Sequence, residues 1–378
     1  MSYSNEKALY HLDSMDLLRQ GKVPYPKHIE ISISDLCNND CQFCSYRMSG
    51  HPSNQTFQET PGTDRHSRNP MRQIPTAKCL EILRSCREIG VKAIQFTGGG
   101  EPTVHPDFAL VAEYALDLGL EACLITNGNL LCDERIRAVV RRMTWMRVSI
   151  DASNQESYCR QRGVGAGAWD RMLEGTKALC QEASDQHLPL VIGAGFVVTP
   201  WNYLEIYDAV ALAKSLGVHS IRLGLMFNQD DQEPFTPIWE DVRRLATDAT
   251  RDFDSPEFRV VDRTQERYDQ FGNAGDGKIT YDRCYFQHFT NFIGANLHVY
   301  RCCQWAFNRR GDIDSLHNWT LKDVYDSQDT QANMLRFDPK GCGKCQFNAC
   351  NVAVDAALRD SSLIPDSDTP IPGHVNFV

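Results

Sequence analysis

The sequence predicts an α/β fold: a parallel sheet wrapped by helices, followed by a small cysteine-rich module. Three observations predict it. Short Val- and Ile-rich runs alternate with segments whose apolar residues recur three and four apart. Most of these runs end in Gly, Asn or Asp turns. The fifteen cysteines fall into an N-terminal trio, a scattered middle set and a crowded C-terminal set.

Residues 1–27 read as an extension, with a helix over 6–18 and the lead-in Val23-Pro24-Tyr25-Pro26. This is too short for a separate peptide-binding domain. The core is expected over 28–228. Its first strand is the alternating run 29–34, and a long Gly-, Pro- and Ser-containing loop over 45–75 follows. A loop of that length inside a compact domain is usually functional or disordered, and because it directly follows the cysteine motif this one is expected to cover the site.

Helix 76–89 then leads to strand 93–97, helix 106–118 to strand 122–126, and helix 133–142 to strand 146–151. Helix 169–182 leads to strand 190–198, and helix 204–216 to strand 220–227. Six strands joined by five helices imply right-handed crossovers and a parallel sheet. Residues 229–283 read as a linker, with one amphipathic helix over 238–253, a strand-like piece over 258–261 and a polar stretch over 271–278. Residues 284–350 form the cysteine module, and 351–378 a helix and Pro-rich tail.

A formal net charge of -10 argues against nucleic-acid and anionic-membrane partners, which favour a basic face. The N-terminus lacks a signal-peptide core, and no run reaches the length of a membrane span. A cytoplasmic location is expected. Cysteines there do not form a disulfide framework. Cys79, Cys86, Cys123 and Cys180 read as small buried hydrophobes.

The chemistry concentrates at Cys37-Asn38-Asn39-Asp40-Cys41-Gln42-Phe43-Cys44, a C-x3-C-x2-C directly after the first strand. Three thiolates can hold three irons of a [4Fe-4S] cluster and leave the fourth open. A zinc site needs a fourth ligand, and the nearest, His51, is seven residues past Cys44. At the second strand's end comes Gly98-Gly99-Gly100-Glu101-Pro102. Its glycines permit close backbone approach, and Glu101 can accept from an ammonium group. Asn127 and Ser149 follow at the ends of the third and fourth strands, the rim where α/β folds bind ligands.

This order of motifs resembles the radical S-adenosylmethionine (radical SAM) superfamily. The resemblance implies a partial, TIM-like (β/α)6 barrel and a [4Fe-4S] cluster on Cys37, Cys41 and Cys44. S-adenosylmethionine (SAM) would be cleaved reductively to a 5′-deoxyadenosyl radical that abstracts a hydrogen atom from substrate. It further implies that Phe43 lies against adenine, that Gly98, Gly99, Gly100 and Glu101 meet the ammonium group, and that Ser149 faces the ribose. Arg160 matches an arginine that pairs with the carboxylate, although Arg162 is equally close. Alternation places Arg147, Ser149 and Asp151 on one strand face, and Arg222, Gly224 and Met226 on another. Asp151 and Arg222 are therefore candidate catalytic contacts to substrate, or a structural ion pair.

Cys284, Cys302, Cys342 and Cys345 resemble the twitch module, a short relative of the SPASM domain, which holds an auxiliary [4Fe-4S] cluster. Cys303 and Cys350 remain possible ligands, and the choice between Cys302 and Cys303 is open. One auxiliary cluster near the barrel mouth suggests oxidation, dehydrogenation or cross-linking of a sugar-like metabolite or a peptide. A donor such as flavodoxin or ferredoxin would supply the electron. The chain ends Asn376-Phe377-Val378, not in the Gly-Gly tail of the enzyme that opens molybdopterin synthesis, which disfavours that activity. The alternative is a zinc- or cluster-stabilised binding or electron-transfer protein without SAM chemistry.

Overall fold

The computed structural model describes residues 4–46, 73–226, 233–271, 279–366 and 368–378. The expected covering loop lies largely outside these residues, as does most of the polar stretch 271–278. Helix α1 (Leu12–Arg19) precedes the first strand. Seven strands then follow side by side and parallel: β1 (His28–Ile31), β2 (Ala93–Phe96), β3 (Glu121–Thr126), β4 (Trp145–Ser149), β5 (Val191–Val198), β6 (Ser220–Leu225) and β7 (Arg259–Asp262). The connecting helices are α2 (Thr76–Glu88), α3 (Phe108–Asp117), α4 (Glu134–Val140), α5 (Gln155–Arg162), α6 (Ala166–Asp185), α7 (Ile206–Ser215) and α8 (Trp239–Phe253), with α9 (Thr264–Phe271) after β7.

The six expected strands are present. The strand-like piece in the expected linker is β7, which adds a parallel edge to residues 220–223 of β6. Helix α5 was not expected.

Each helix is held by its apolar stripe. Helix α7 buries Ile206, Ala209, Val210 and Ala213, three and four apart. The strands alternate as expected. Val148, Ile150, Ile221 and Leu223 are fully buried under the helices. Arg147, Ser149, Arg222 and Gly224 are half-buried and line the interior.

On the other side of β1 the sheet continues into the C-terminal module. Strand β8 (Thr290–Ile293) pairs parallel with β1, and β9 (His298–Tyr300) and β10 (Asp312–Ser315) follow antiparallel. The cysteine module is thus built onto the barrel's own sheet. Helices α10 (Leu321–Asp326), α11 (Gln328–Arg336) and α12 (Asn348–Arg359) complete it. Ala8, Leu9, Met15 and Leu18 of the N-terminal segment share a core with Phe286, Phe289, Val354 and Ala357.

The tail closes the floor of the barrel at the amino ends of the strands. Phe377 packs edge-on against Trp145 and His28, with ring centroids 5.5 and 5.4 Å away. Lys7 Nζ donates to the Phe377 carbonyl at 3.1 Å, and Asn376 Nδ2 to Glu121 Oε1 at 2.6 Å. Replacing Phe377 with alanine removes a buried aromatic that bridges two strands. A loss of about 3 kcal/mol is expected, read as a lower denaturation midpoint with an unchanged slope.

Candidate functional site: one barrel interior between two cysteine sets

The loop carrying Cys37, Cys41 and Cys44 is held against the glycine turn by backbone. Gly99 N donates to Ser32 Oγ at 2.9 Å, Gly100 N to the Ser34 carbonyl at 3.1 Å and Glu101 N to the Leu36 carbonyl at 2.8 Å. The approach is too close for side chains. A Cβ on Gly99 would stand 2.2 Å from Asp35 Oδ1, and one on Gly100 would stand 2.1 Å from the Leu36 carbonyl. These glycines are therefore required first by the cysteine loop.

Glu101 is buried behind the turn. Its Oε1 accepts from Thr103 N (3.2 Å), Thr103 Oγ1 (2.6 Å) and Thr126 Oγ1 (2.7 Å), and its Oε2 from Asn127 N (2.7 Å). Burial raises its pKa and these hydrogen bonds oppose the rise. Asn127 Nδ2 reaches Asn38 Oδ1 at 2.6 Å and lies 3.9 Å from Cys37 Sγ. His105 is buried with Nε2 2.9 Å from the Ile74 carbonyl.

The other side of the cysteine loop is fixed by α5. Asp40 N donates to the Arg162 carbonyl at 2.7 Å and Gln42 N to the Gln161 carbonyl at 2.9 Å. Gly163 ends the helix in the left-handed region (φ 59°), where a Cβ would meet the Asp40 carbonyl at 2.9 Å. Arg162 is the last helical residue and 3% exposed. Its guanidinium pairs with Asp151, donates to the Ser149 carbonyl at 2.7 Å and lies 3.8 Å from Cys41 Sγ. Asp151 Oδ1 also accepts from Val197 N at 2.6 Å. Burial works against the charge on Arg162, but Asp151 and the nearby cysteine sulfurs outweigh it and hold its pKa above the ordinary range.

These residues enclose a cavity of about 330 Å³. Cys37, Cys41, Cys44, Phe43, Gly98, Gly99, Gly100, Glu101, Asn127 and Ser149 all line it. Arg160 does not: it is exposed, and Arg162 stands at the cavity in its place. Because α5 buries Tyr158, Gln161 and Arg162 on one face, Arg160 points the other way. The spacing of Arg162 before a helix-ending glycine is the signal that could have selected it.

Ser149, Asp151 and Tyr46 also line a second cavity of about 280 Å³, which contains Arg147, Arg222, Arg267, Cys303 and Gln346. That cavity shares Arg147, Arg222, Arg267 and Cys303 with a third of about 400 Å³, which runs past Glu30 and Gln95 to Phe377. The barrel thus has one polar interior running from the cysteine loop to the floor.

The C-terminal cysteines divide around it. Cys284, Cys302, Cys342 and Cys345 line a separate pocket among Phe286, Trp305, Phe337 and Phe347. Cys303 faces the barrel interior, where Gln346 Nε2 lies 3.3 Å from its sulfur. Cys350 is buried with Phe289 and Val354 and lines the floor of the interior, and burial pushes its thiol up to about 12. Among the described residues no three Cys, His, Asp or Glu side chains converge as ligands of one ion do. The N-terminal trio lines a cavity, and the C-terminal four line a pocket.

Both sets suit an anionic cluster. Each has a buried arginine beside it, Arg162 and Arg301, whose Nε has no hydrogen-bond partner among the described residues. Burial lowers the pKa of Arg301 to about 10, so added negative charge would stabilise it. Soft thiolates are the donors that iron–sulfur clusters take.

Comparison with known proteins agrees. Residues 31–196 match the model of the Radical SAM superfamily. The chain is 26% identical over 196 residues to a probable GTP 3′,8-cyclase of Saccharolobus islandicus, covering 52% of this chain and 55% of that one. It is 35% identical over 152 residues to the AdoMet-dependent heme synthase of Methanosarcina barkeri, covering 39% and 40%. The chain therefore spans about half the length of these curated relatives, or less. Its fold matches the crystal structure of Streptococcus suis SuiB bound to precursor peptide SuiA, with TM-score 0.60, 16% identity, and 94% and 77% of the two chains covered. No helix among the described residues is long and apolar enough to cross a membrane. The match falls on the strands that build this cavity and makes residues 31–196 a radical SAM domain, whose cofactors are a [4Fe-4S] cluster and SAM, while the fold of the chain as a whole, cysteine module included, is similar to that of SuiB.

Proposed function

We propose that this chain is a radical enzyme that removes a hydrogen atom from a substrate held in the barrel interior and then oxidises or cross-links it. The observation that carries this reading is the shared wall of Ser149, Asp151 and Tyr46. It places the cavity of the cysteine loop and glycine turn next to an interior that leads to the second cysteine set. When bound, the N-terminal cluster and SAM together supply a 5′-deoxyadenosyl radical, which is the cofactors' own chemistry.

The chain's part is to hold and orient. Cys37, Cys41 and Cys44 would ligate the N-terminal cluster. The backbone of Gly98, Gly99 and Gly100 would bind the methionyl ammonium, with Glu101 bracing the turn through its four hydrogen bonds. Arg162 would meet the carboxylate, since it brings a buried cation to the cavity and Arg160 does not. Phe43 and Ser149 would flank adenine and ribose, and Asn127 would steady Cys37. Asp151 acts as a positioning residue, because both its oxygens are engaged by Arg162 and Val197. Arg222 is left as the substrate contact.

Cys284, Cys302, Cys342 and Cys345 would hold the auxiliary cluster. Cys302 and Cys303 are neighbours that face opposite sides, so one residue separates that pocket from the interior. This closeness supports electron transfer out of a substrate radical, and hence oxidation, with a flavodoxin- or ferredoxin-type donor supplying the initiating electron. Phe377 packs across the floor, and in this reading substrate enters at the cysteine-loop end. That shape suits a compact metabolite or one side chain of a peptide. SuiB supplies the peptide precedent, its crystal structure being bound to a precursor peptide.

Anaerobic reconstitution with iron and sulfide should give about eight irons per chain, as two four-iron clusters require. With dithionite and SAM, 5′-deoxyadenosine should form. Cys41→Ala should lose the N-terminal cluster and this product. Bound iron without any deoxyadenosine would instead favour an electron-transfer protein. Cys302→Ala should lose about four irons and keep SAM cleavage, whereas Cys303→Ala should keep both clusters. Equal iron loss in the two variants would contradict the division of these neighbours. Arg162→Gln should weaken SAM binding about tenfold or more, the worth of about 1.4 kcal/mol, and Arg160→Gln should leave it unchanged in the same equilibrium titration.

A further inference from the structure

The barrel interior is basic in a chain that is acidic as a whole. Arg147 of β4, Arg222 of β6 and Arg267 of α9 line the same two cavities. Strand β5 between the first two contributes glycine: Gly195 is the register partner of Arg222, and the Arg147 side chain crosses it, with Cδ 3.5 Å from where a Cβ would stand. Arg147 and Arg222 therefore approach one another over a bare strand. Gly224, beside Arg222, likewise opens onto unfilled space.

Among the described residues two acidic side chains, Asp151 and Glu30, line these cavities beside the three arginines. Asp151 is already matched by Arg162. Glu30 accepts from Gln95 at 2.8 Å, and burial raises its pKa to about 7. Burial, then repulsion from Arg263, lowers the pKa of Arg267, so the interior favours an added negative charge. Arginine also has the donor geometry for this task. Its planar fork gives two parallel hydrogen bonds to a carboxylate or phosphate, which lysine does not.

We propose that the substrate is an anion whose carboxylate or phosphate group is held by Arg147, Arg222 and Arg267, with the carbon that loses hydrogen lying toward the cysteine loop. The inference rests on the proposed radical chemistry only for the second half of that statement. Phe377 packs across the floor of the interior, so an anchor at this depth fixes how far the substrate reaches back past Ser149. The arginines thus set which carbon is presented.

The test uses the full chain, reconstituted and loaded with SAM, titrated by calorimetry with pyrophosphate, with tricarballylate and with neutral sorbitol. At least one anion should bind and sorbitol should not. Pyrophosphate alone identifies a phosphate site, tricarballylate alone a carboxylate site, and both a site for either group. Arg147→Gln and Arg222→Gln should each weaken binding by about tenfold or more, with iron content and circular dichroism retained as proof of folding. Absence of binding by either anion, or binding untouched by both substitutions, overturns the inference. Deoxyadenosine formation is measured in the same preparation without anion. If it occurs while no anion binds, the anion site is refuted and the radical reading stands. If anions bind and no deoxyadenosine forms, the radical reading fails alone.

Discussion

The buried pair of Arg162 and Asp151 is the interaction on which the site depends. Four pieces of chain meet there: the cysteine loop through Cys41, the end of β4 through the Ser149 carbonyl, β5 through Val197 N, and α5, which supplies the arginine. A charge so deeply buried persists only when it is matched, and removing one partner of such a pair costs about 3–5 kcal/mol. The same guanidinium forms part of the wall of the cavity that SAM would occupy. The group that holds the elements in register would therefore also supply positive charge to the cofactor. Asp151 adopts a left-handed backbone conformation (φ 55°), which is maintained by these bonds and by Asn202 Nδ2 on its own carbonyl at 3.0 Å.

Much of this was legible because it follows from local rules. The three-cysteine spacing and the glycine run lie beside strands whose period-two pattern identifies their inward face, so Ser149 and Arg222 could be placed from alternation. The glycines were read as room for a ligand. The structure adds a prior demand, since two loops lie within about 2 Å of where their side chains would begin. Helix α5 was missed for a physical reason. What it buries is Ser157, Tyr158, Gln161 and Arg162, a mostly polar set that gives no apolar periodicity. The choice between Arg160 and Arg162 depends on that helix, so it stayed open until the helix was seen. Strand β7 was legible only as a strand-like piece in a linker and not as part of the sheet: of its four residues only Val260 is buried, as suits an edge.

Cys302 and Cys303 show a different limit. Adjacent residues in extended backbone face opposite sides, and Cys302 is extended, with φ -167° and ψ 166°. Spacing alone states that one of the two turns to each side but not which side holds the pocket. The answer comes from β8, which joins β1 and so lays the module along the barrel wall. Once that edge is fixed, one cysteine must face the aromatic pocket and the other the interior.

The two cysteine sets consequently sit in unlike surroundings. The N-terminal trio opens onto the cavity it shares with the glycine turn, as would suit a cluster that exchanges ligands. The C-terminal four are enclosed by aromatic rings and one buried arginine, as suits a cluster that keeps its ligands and passes electrons. Between them lies the arginine-lined interior, with Phe377 packed at its floor. In the proposed reading, a substrate anchored there would lie against both sets, near the radical source at one end and one residue from an electron acceptor at the other. Hydrogen abstraction followed by oxidation needs both neighbours at once. The continuous sheet, with β1 shared between barrel and module, keeps them in place.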